Sequence, residues 1–145
     1  MPYATQADLV TRFGTDELIQ LTDRVNGNAI DAAVVSAALG DADALIEGYL
    51  ASRYALPITP VPPMLKRMAA DLARYMLHGN AATELVRKAY EDALKLLRDL
   101  ADGRAALAGA APVAVGAVPA AAAGDVRVAA GERNLTFPGL ADYLG

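Results

Sequence analysis

The sequence contains no cysteine, which excludes disulfide bonds and thiolate metal sites. Aromatic residues make up only 6% of the chain against 54% hydrophobic residues, so its apolar content is mainly Ala, Leu and Val. No run of about 18 apolar residues predicts a membrane span. The N-terminus lacks the basic and apolar blocks of a signal peptide. These absences lead us to expect a cytosolic product without a membrane segment.

Positive charge is also scarce. Thirteen Lys and Arg residues stand against seventeen Asp and Glu residues, for a net charge of −4, and the basic residues form no run. Because neutralising phosphate supplies most non-specific affinity for nucleic acids, an acidic chain is a poor general nucleic-acid binder. A length of 145 residues allows about one domain with a modest core, and the alanine-rich composition favours closely packed helices over a large sheet.

Two long helices separated by prolines dominate the middle of the chain. Asp31 is placed to cap the first of them, which cannot pass Leu56 because Pro57 follows. The next helix begins at Pro63 and ends near Gly79. Apolar residues recur at helical spacing on one face of each helix, which predicts that these faces are buried. They are Val35, Leu39, Ala42, Ile46 and Tyr49 in the first helix, and Leu65, Met68, Leu72 and Tyr75 in the second.

Two short helices precede this pair and a third long helix follows it. Thr5 with Asp8 and then Thr15 are predicted caps of the short helices. The third long helix begins near Thr83 and ends at Gly103. Its apolar stripe is Val86, Tyr90, Ala93, Leu97 and Leu100, and its opposite face carries charges four residues apart that indicate a solvated surface. The predicted fold is mainly α, a small bundle of three long and two short helices over residues 1–103.

Residues 104–145 are predicted to form an extended arm. Up to residue 124 this segment is almost entirely Ala, Gly, Val and Pro, which have too little bulk for a separate core. Residues 125–128 alternate as in a short strand. Large apolar residues return near the end of this segment and form a predicted docking tip. The tip is expected to bind either a second chain or the helices of its own chain. Its predicted assembly contacts are Leu135, Phe137, Leu140, Tyr143 and Leu144.

Candidates for chemistry are few. Asp71, Arg74 and His78 lie three and four residues apart on one helix, a polar stripe that favours an intrahelical or intersubunit ion pair over a catalytic group. His78 also suits a role at the helix C-terminus. The loop from Asp23 to Asp31 resembles half of a calcium loop, but it supplies too few oxygen ligands, so we expect an Asn-Gly turn and no metal.

A series of short motifs follows in order along the chain. The motifs are Tyr3-Ala-Thr-x-x-Asp8-Leu, Phe13-Gly, Glu17-Leu-Ile-Gln-Leu-Thr-Asp23, Ile46-x-Gly-Tyr-Leu-x-x-Arg-Tyr-x-Leu-Pro57, Pro62-Pro63-x-Leu65, Asp71-x-Ala-Arg-Tyr-x-Leu-His78 and Tyr90-Glu-Asp-Ala-Leu-x-Leu-Leu-Arg98. Over roughly residues 3–103 this series resembles the Mu-type phage head–tail connector proteins. The tail shares the closing pattern of Arg133, Phe137 and Leu-x-x-Tyr-Leu, whereas the Ala/Gly/Pro segment and the loop after Asp23 depart from the family.

The resemblance implies a non-enzymatic helical adaptor without a cofactor. It would form a homo-oligomeric ring, expected to be a dodecamer, beneath the portal protein and above a tail or stopper protein. DNA would pass through the ring without sequence-specific binding, and the protein would be located in the virion neck after assembly in the bacterial cytoplasm. A helical nucleic-acid-binding or DNA-packaging accessory protein is the alternative. A small enzyme using His78 and Asp71 is a more remote one.

Overall fold

Five α-helices and one 3₁₀ turn form the part of the protein that the computed structural model describes, residues 2–113. The mainly helical fold predicted from the sequence is confirmed. The elements are α1 (Gln6–Phe13), α2 (Thr15–Thr22), α3 (Ala32–Leu50), α4 (Pro63–His78), the 3₁₀ turn (Gly79–Ala81) and α5 (Glu84–Asp102).

The three long helices pack on one another around a single core. Ile46 of α3, Leu72 of α4 and Leu97 of α5 are each fully buried. Every stripe residue predicted for these helices is buried or half-buried, and the half-buried rings of Tyr75 and Tyr90 stack at 3.9 Å between centroids. The core described here contains no buried polar or charged residue, so its stability comes from apolar burial and close packing.

Most predicted helix ends are confirmed by their capping contacts. The Asp31 carboxylate accepts the backbone N–H of Ala33 at 2.9 Å at the start of α3. Thr5 and Asp8 form a reciprocal capping box before α1. The prediction that Thr15 caps α2 is wrong. Thr15 is already the first helical residue, and Gly14, at φ +93°, occupies the cap position without a side-chain hydrogen bond.

The segment before α1 is fixed on α3 by a tyrosine. Tyr3 is 2% exposed, its backbone N–H donates to Asp43 at 3.1 Å, and its hydroxyl donates to Glu47 at 3.1 Å. Burial raises the pKa of Asp43, despite the hydrogen bond from the Tyr3 backbone. The N-terminal residues are therefore an integral part of the helical core.

The chain continues to pack on the helices after α5 has ended. Leu107 is 5% exposed, and its backbone N–H donates to the Tyr54 hydroxyl at 3.0 Å. The Val113 N–H donates to the Arg53 carbonyl at 2.8 Å. In the described structure, residues 104–113 therefore pack against the helical core.

The remainder of the predicted arm, residues 114–145, lies outside the described residues. This applies to the predicted strand at residues 125–128 and to the docking tip. In residues 2–113 the only β feature is an isolated bridge between Tyr54 and Pro112. The division into a core and an arm stays a prediction beyond Val113.

Candidate functional site

A polar cluster joins α2 to α4 through two of the three residues of the predicted polar stripe. Arg74 donates to both carboxylate oxygens of Glu17, through Nε at 2.6 Å and Nη2 at 3.0 Å. His78 Nε2 lies 3.3 Å from Oε1 of the same carboxylate. The Arg74 guanidinium also lies 4.4 Å from the centre of the Phe13 ring, which is within cation–π distance.

Arg74 keeps Glu17 ionised in this half-buried setting. Burial opposes the charged form, but the hydrogen bonds and charge of Arg74, followed by those of His78, outweigh it and hold the pKa of Glu17 below its ordinary value. Both oxygens of Glu17 are occupied and the guanidinium is packed against an aromatic ring. The arrangement is that of a clamp between two helices, in which Arg74 engages both oxygens of Glu17.

The third member of the stripe, Asp71, does not join this cluster. Its nearest cationic partner is Arg67 on the same helix, with Oδ2 and Nε 3.8 Å apart. Burial raises the pKa of Asp71, and the positive charges of Arg12, Arg67 and Arg74 oppose this without cancelling it. Asp71 thus pairs within its helix with Arg67, which lies outside the predicted stripe, while Arg74 pairs with Glu17 of α2, a partner that sequence spacing could not identify. An intersubunit ion pair of the stripe stays a prediction.

The loop between α2 and α3 is organised by its own first carboxylate. Asp23 accepts the backbone N–H groups of Asn26 at 2.9 Å and Asn28 at 3.2 Å, and Gly27 has a φ of +63°, which favours glycine. The predicted turn is confirmed. In residues 2–113 no group of three or more His, Asp or Glu side chains is arranged to hold a metal ion. The absence of calcium binding itself stays a prediction.

Surfaces, rather than reactive groups, distinguish this domain. Leu85, at 72%, and Val25, at 92%, are the most exposed large apolar side chains among the described residues. Leu85 lies at an open groove between α4 and α5, with a volume of about 470 Å³. Its apolar lining also includes Met64, Met68, Ala89 and Leu96.

A second groove, of about 630 Å³, runs between the N-terminal segment and α3. The side of α3 that borders it carries small residues, including Ser36, Gly40 and Ala44. Between Asp31 and Ser52 the chain has four acidic residues and no basic one, so the negative charge of the domain is concentrated on α3. The net negative charge of the chain was identified from the sequence, but its concentration on α3 was missed. The absence of Lys and Arg between Asp31 and Ser52 was the signal that could have revealed it.

The residues predicted as assembly contacts, Leu135, Phe137, Leu140, Tyr143 and Leu144, lie outside the described residues. No helix of residues 2–113 has the length and apolar character needed to span a bilayer.

Comparison with known proteins identifies the family of this chain. The family model described as bacteriophage Mu, Gp36 matches residues 3–130. The Mu-like prophage FluMu protein gp36 of Haemophilus influenzae is 37% identical over 105 residues, which cover 72% of this chain and 74% of that protein. Gene product J of Escherichia phage Mu is 39% identical over 105 residues, with the same coverage of both chains. The chain therefore belongs to the bacteriophage Mu Gp36 family.

Proposed function

We propose that this phage protein is a head–tail connector subunit. Copies of it form a ring, expected to be a dodecamer, that sits beneath the portal protein in the virion neck and extends the DNA channel toward a tail or stopper protein. The match to the Mu Gp36 family over residues 3–130 is the observation that carries this proposal, together with the ordered motifs that resemble connector proteins.

The surface of the described domain suits a ring subunit. A subunit in a closed ring meets two neighbours through two different surfaces, and each surface must offer apolar area that remains exposed in the isolated chain. Leu85 and Val25 provide such area on α5 and on the loop before α3. The small residues along the exposed side of α3 allow another helix to approach closely.

The distribution of charge is compatible with a DNA conduit. Acidic groups repel phosphate and allow DNA to slide, whereas clustered Lys and Arg would bind it. Four of the basic residues in the described domain are paired with carboxylates: Lys66, Arg67, Arg74 and Arg104. Among residues 2–113 no helix has a basic face that would favour the alternative, a nucleic-acid-binding accessory protein.

The polar cluster supports a structural role and no enzymatic one. Glu17, Arg74 and His78 satisfy one another between α2 and α4, and the cluster borders neither groove. We therefore assign no catalytic residue and no cofactor.

The proposal is tested by complementation of the phage or prophage that encodes the protein. Without the gene, electron microscopy is expected to show DNA-filled heads and finished tails that remain separate, and a plasmid copy should restore joined particles. Defective heads that contain no DNA would instead indicate a role in packaging. Joined particles in the absence of the gene would contradict the connector function.

A further inference from the structure

We infer that the groove between α4 and α5 receives the apolar tip of a neighbouring copy of this chain, residues 135–144. The inference rests on the proposed ring, because it identifies which surface of one subunit binds which segment of the next.

The groove has the properties of a site for apolar side chains. Its volume of about 470 Å³ falls within the range of about 300–1,000 Å³ typical of pockets that enclose ligands. Two methionines, Met64 and Met68, give it an adaptable lining, because the unbranched thioether side chain fits irregular shapes. Leu85 projects at its edge with 72% of its surface exposed, as expected for an anchor that becomes buried on binding.

The groove is formed by a second apolar line on α5. Leu85, Ala89 and Leu96 follow one another at helical spacing, beside the stripe that faces the core. Leu96 packs partly against the core and Ala89 is half-buried, while Asp92 lies on the same line. Leu85 is therefore the apolar side chain of this line that the described domain leaves uncovered.

Only one segment of this chain offers side chains of matching size. Residues 114–130 contain no Leu, Ile, Met, Phe or Tyr. Large apolar residues then cluster at Leu135, Phe137, Leu140, Tyr143 and Leu144.

The charges at the rim of the groove are compatible with this occupant. Arg67 and Lys88 are the basic residues at the rim, and Asp71 and Asp92 are the acidic ones. The tip and the residues just before it are likewise of mixed sign, with Glu132 and Arg133 before its first leucine and Asp142 near its last. Because the rim of the groove and the tip region each carry positive and negative charges, they can pair without leaving a charge uncompensated.

The spacer before the tip is long enough to reach a neighbouring copy of the chain. Val113 is held at Arg53, whose guanidinium lies against Gly103 at the end of α5. Leu96 is about 10 Å away from Gly103 along this helix, at about 1.5 Å per residue. Residues 114–134 can span about 70 Å when extended, at about 3.3 Å per residue.

A spacer of that reach greatly exceeds what a return to the same groove requires. A domain of about 110 residues has a radius of gyration of about 13 Å, so the spacer can cross the whole domain and reach the next one. The Ala/Gly/Pro composition fits a connecting segment that buries little along its way.

The absence of cysteine from the chain allows a direct cross-linking test in the full-length protein. One preparation carries Leu85→Cys, a second carries Phe137→Cys, and the two are mixed, assembled and oxidised. We expect a disulfide-linked dimer that joins the two different chains. The matched control replaces Leu85→Cys by Val25→Cys, which introduces a thiol at a large exposed apolar position outside this groove.

The yield with Leu85→Cys should exceed that with Val25→Cys by about tenfold or more, because a disulfide forms only when the two Cα atoms come within about 7 Å. The double variant Leu85→Cys/Phe137→Cys should give a ladder of linked chains. A monomer with an internal disulfide would overturn the assignment to a neighbouring copy. Equal yields with Val25→Cys would overturn the assignment to this groove.

Electron microscopy of the same samples separates this inference from the proposed function. Rings that form without the Leu85–Phe137 cross-link would contradict the docking inference and leave the connector function standing. The absence of both rings and cross-links, with and without portal protein, would contradict both. Rings with the expected cross-link support both.

Discussion

Replacing Ile46 by aspartate tests whether α3 is buried as the structure has it. Ile46 has no exposed surface and lies in a core without a single buried polar residue among those described. Removing the isoleucine side chain forfeits about 2–3 kcal/mol of burial. An unpaired carboxylate in the same place adds a cost of about 3 kcal/mol or more. The two terms together come to about 5 kcal/mol or more, and the carboxylate term alone sets a lower bound of about 3 kcal/mol.

This cost is large relative to the whole stability of such a domain, which is about 5–15 kcal/mol. At about 4 °C or more per kcal/mol, the melting temperature should fall by at least about 12 °C. Urea unfolding followed by circular dichroism at the helical minimum measures the same change as a lower midpoint. Because Ile46→Asp can prevent folding altogether, Ile46→Val provides a milder test with an expected loss of about 0.5–1.5 kcal/mol.

Ser36→Asp is the matched control. It places the same charge on the exposed side of the same helix, where we expect a change within about 0.5 kcal/mol. A melting temperature of Ile46→Asp within about one degree of the unmodified protein would refute the burial of this face. An equal loss in Ser36→Asp would show that the helix tolerates no added charge anywhere, and the argument from burial would fail.

Three further changes follow from the structure. Gly103→Ala should cost about 1–2 kcal/mol in a thermal melt, because φ is +80° and the added Cβ would lie 2.5 Å from the Arg53 guanidinium; an unchanged melt would contradict this cap. Glu17→Gln should cost about 1–3 kcal/mol at pH 7. The folded-state pKa of Glu17 lies below its ordinary value of 4.5, so the stability that its charge contributes is present above pH 4.5 and is lost as the pH falls. A loss of unfolding free energy in Glu17→Gln that is equal at pH 7 and pH 3, measured by urea unfolding, would contradict the clamp. A chain ending at Val113 should melt cooperatively near the melting temperature of the full-length protein. A chain ending at residue 103 loses the buried Leu107 and should melt several degrees lower. Equal melting temperatures would show that residues 104–113 add nothing to stability.

The helices could be predicted because their signals are local. The Asp31 cap, the proline at the start of α4 and the glycine after α5 each act within one helical turn, and all three were found where predicted. Apolar spacing identified the buried faces for the same reason. The cap of α2 was misplaced, since glycine and threonine are both common near a helix start.

Contacts between distant segments could not be predicted in the same way. Glu17 reaches Arg74 across 57 residues, and Leu107 bonds to Tyr54 across 53 residues, and no periodicity connects such pairs. The apolar edge at Leu85 was also missed. A single leucine beside a core stripe has no distinctive pattern until the neighbouring helix is in place. Local rules therefore gave the helices, and the three-dimensional arrangement was needed for the surfaces.

The connector function is tested most directly by electron microscopy of the purified protein, alone and mixed with the portal protein of the same phage. The account predicts closed rings that stack coaxially on one end of the portal and continue its channel. Particles of the portal that remain bare, at protein concentrations well above those of the portal, would contradict the proposal that this chain is a connector.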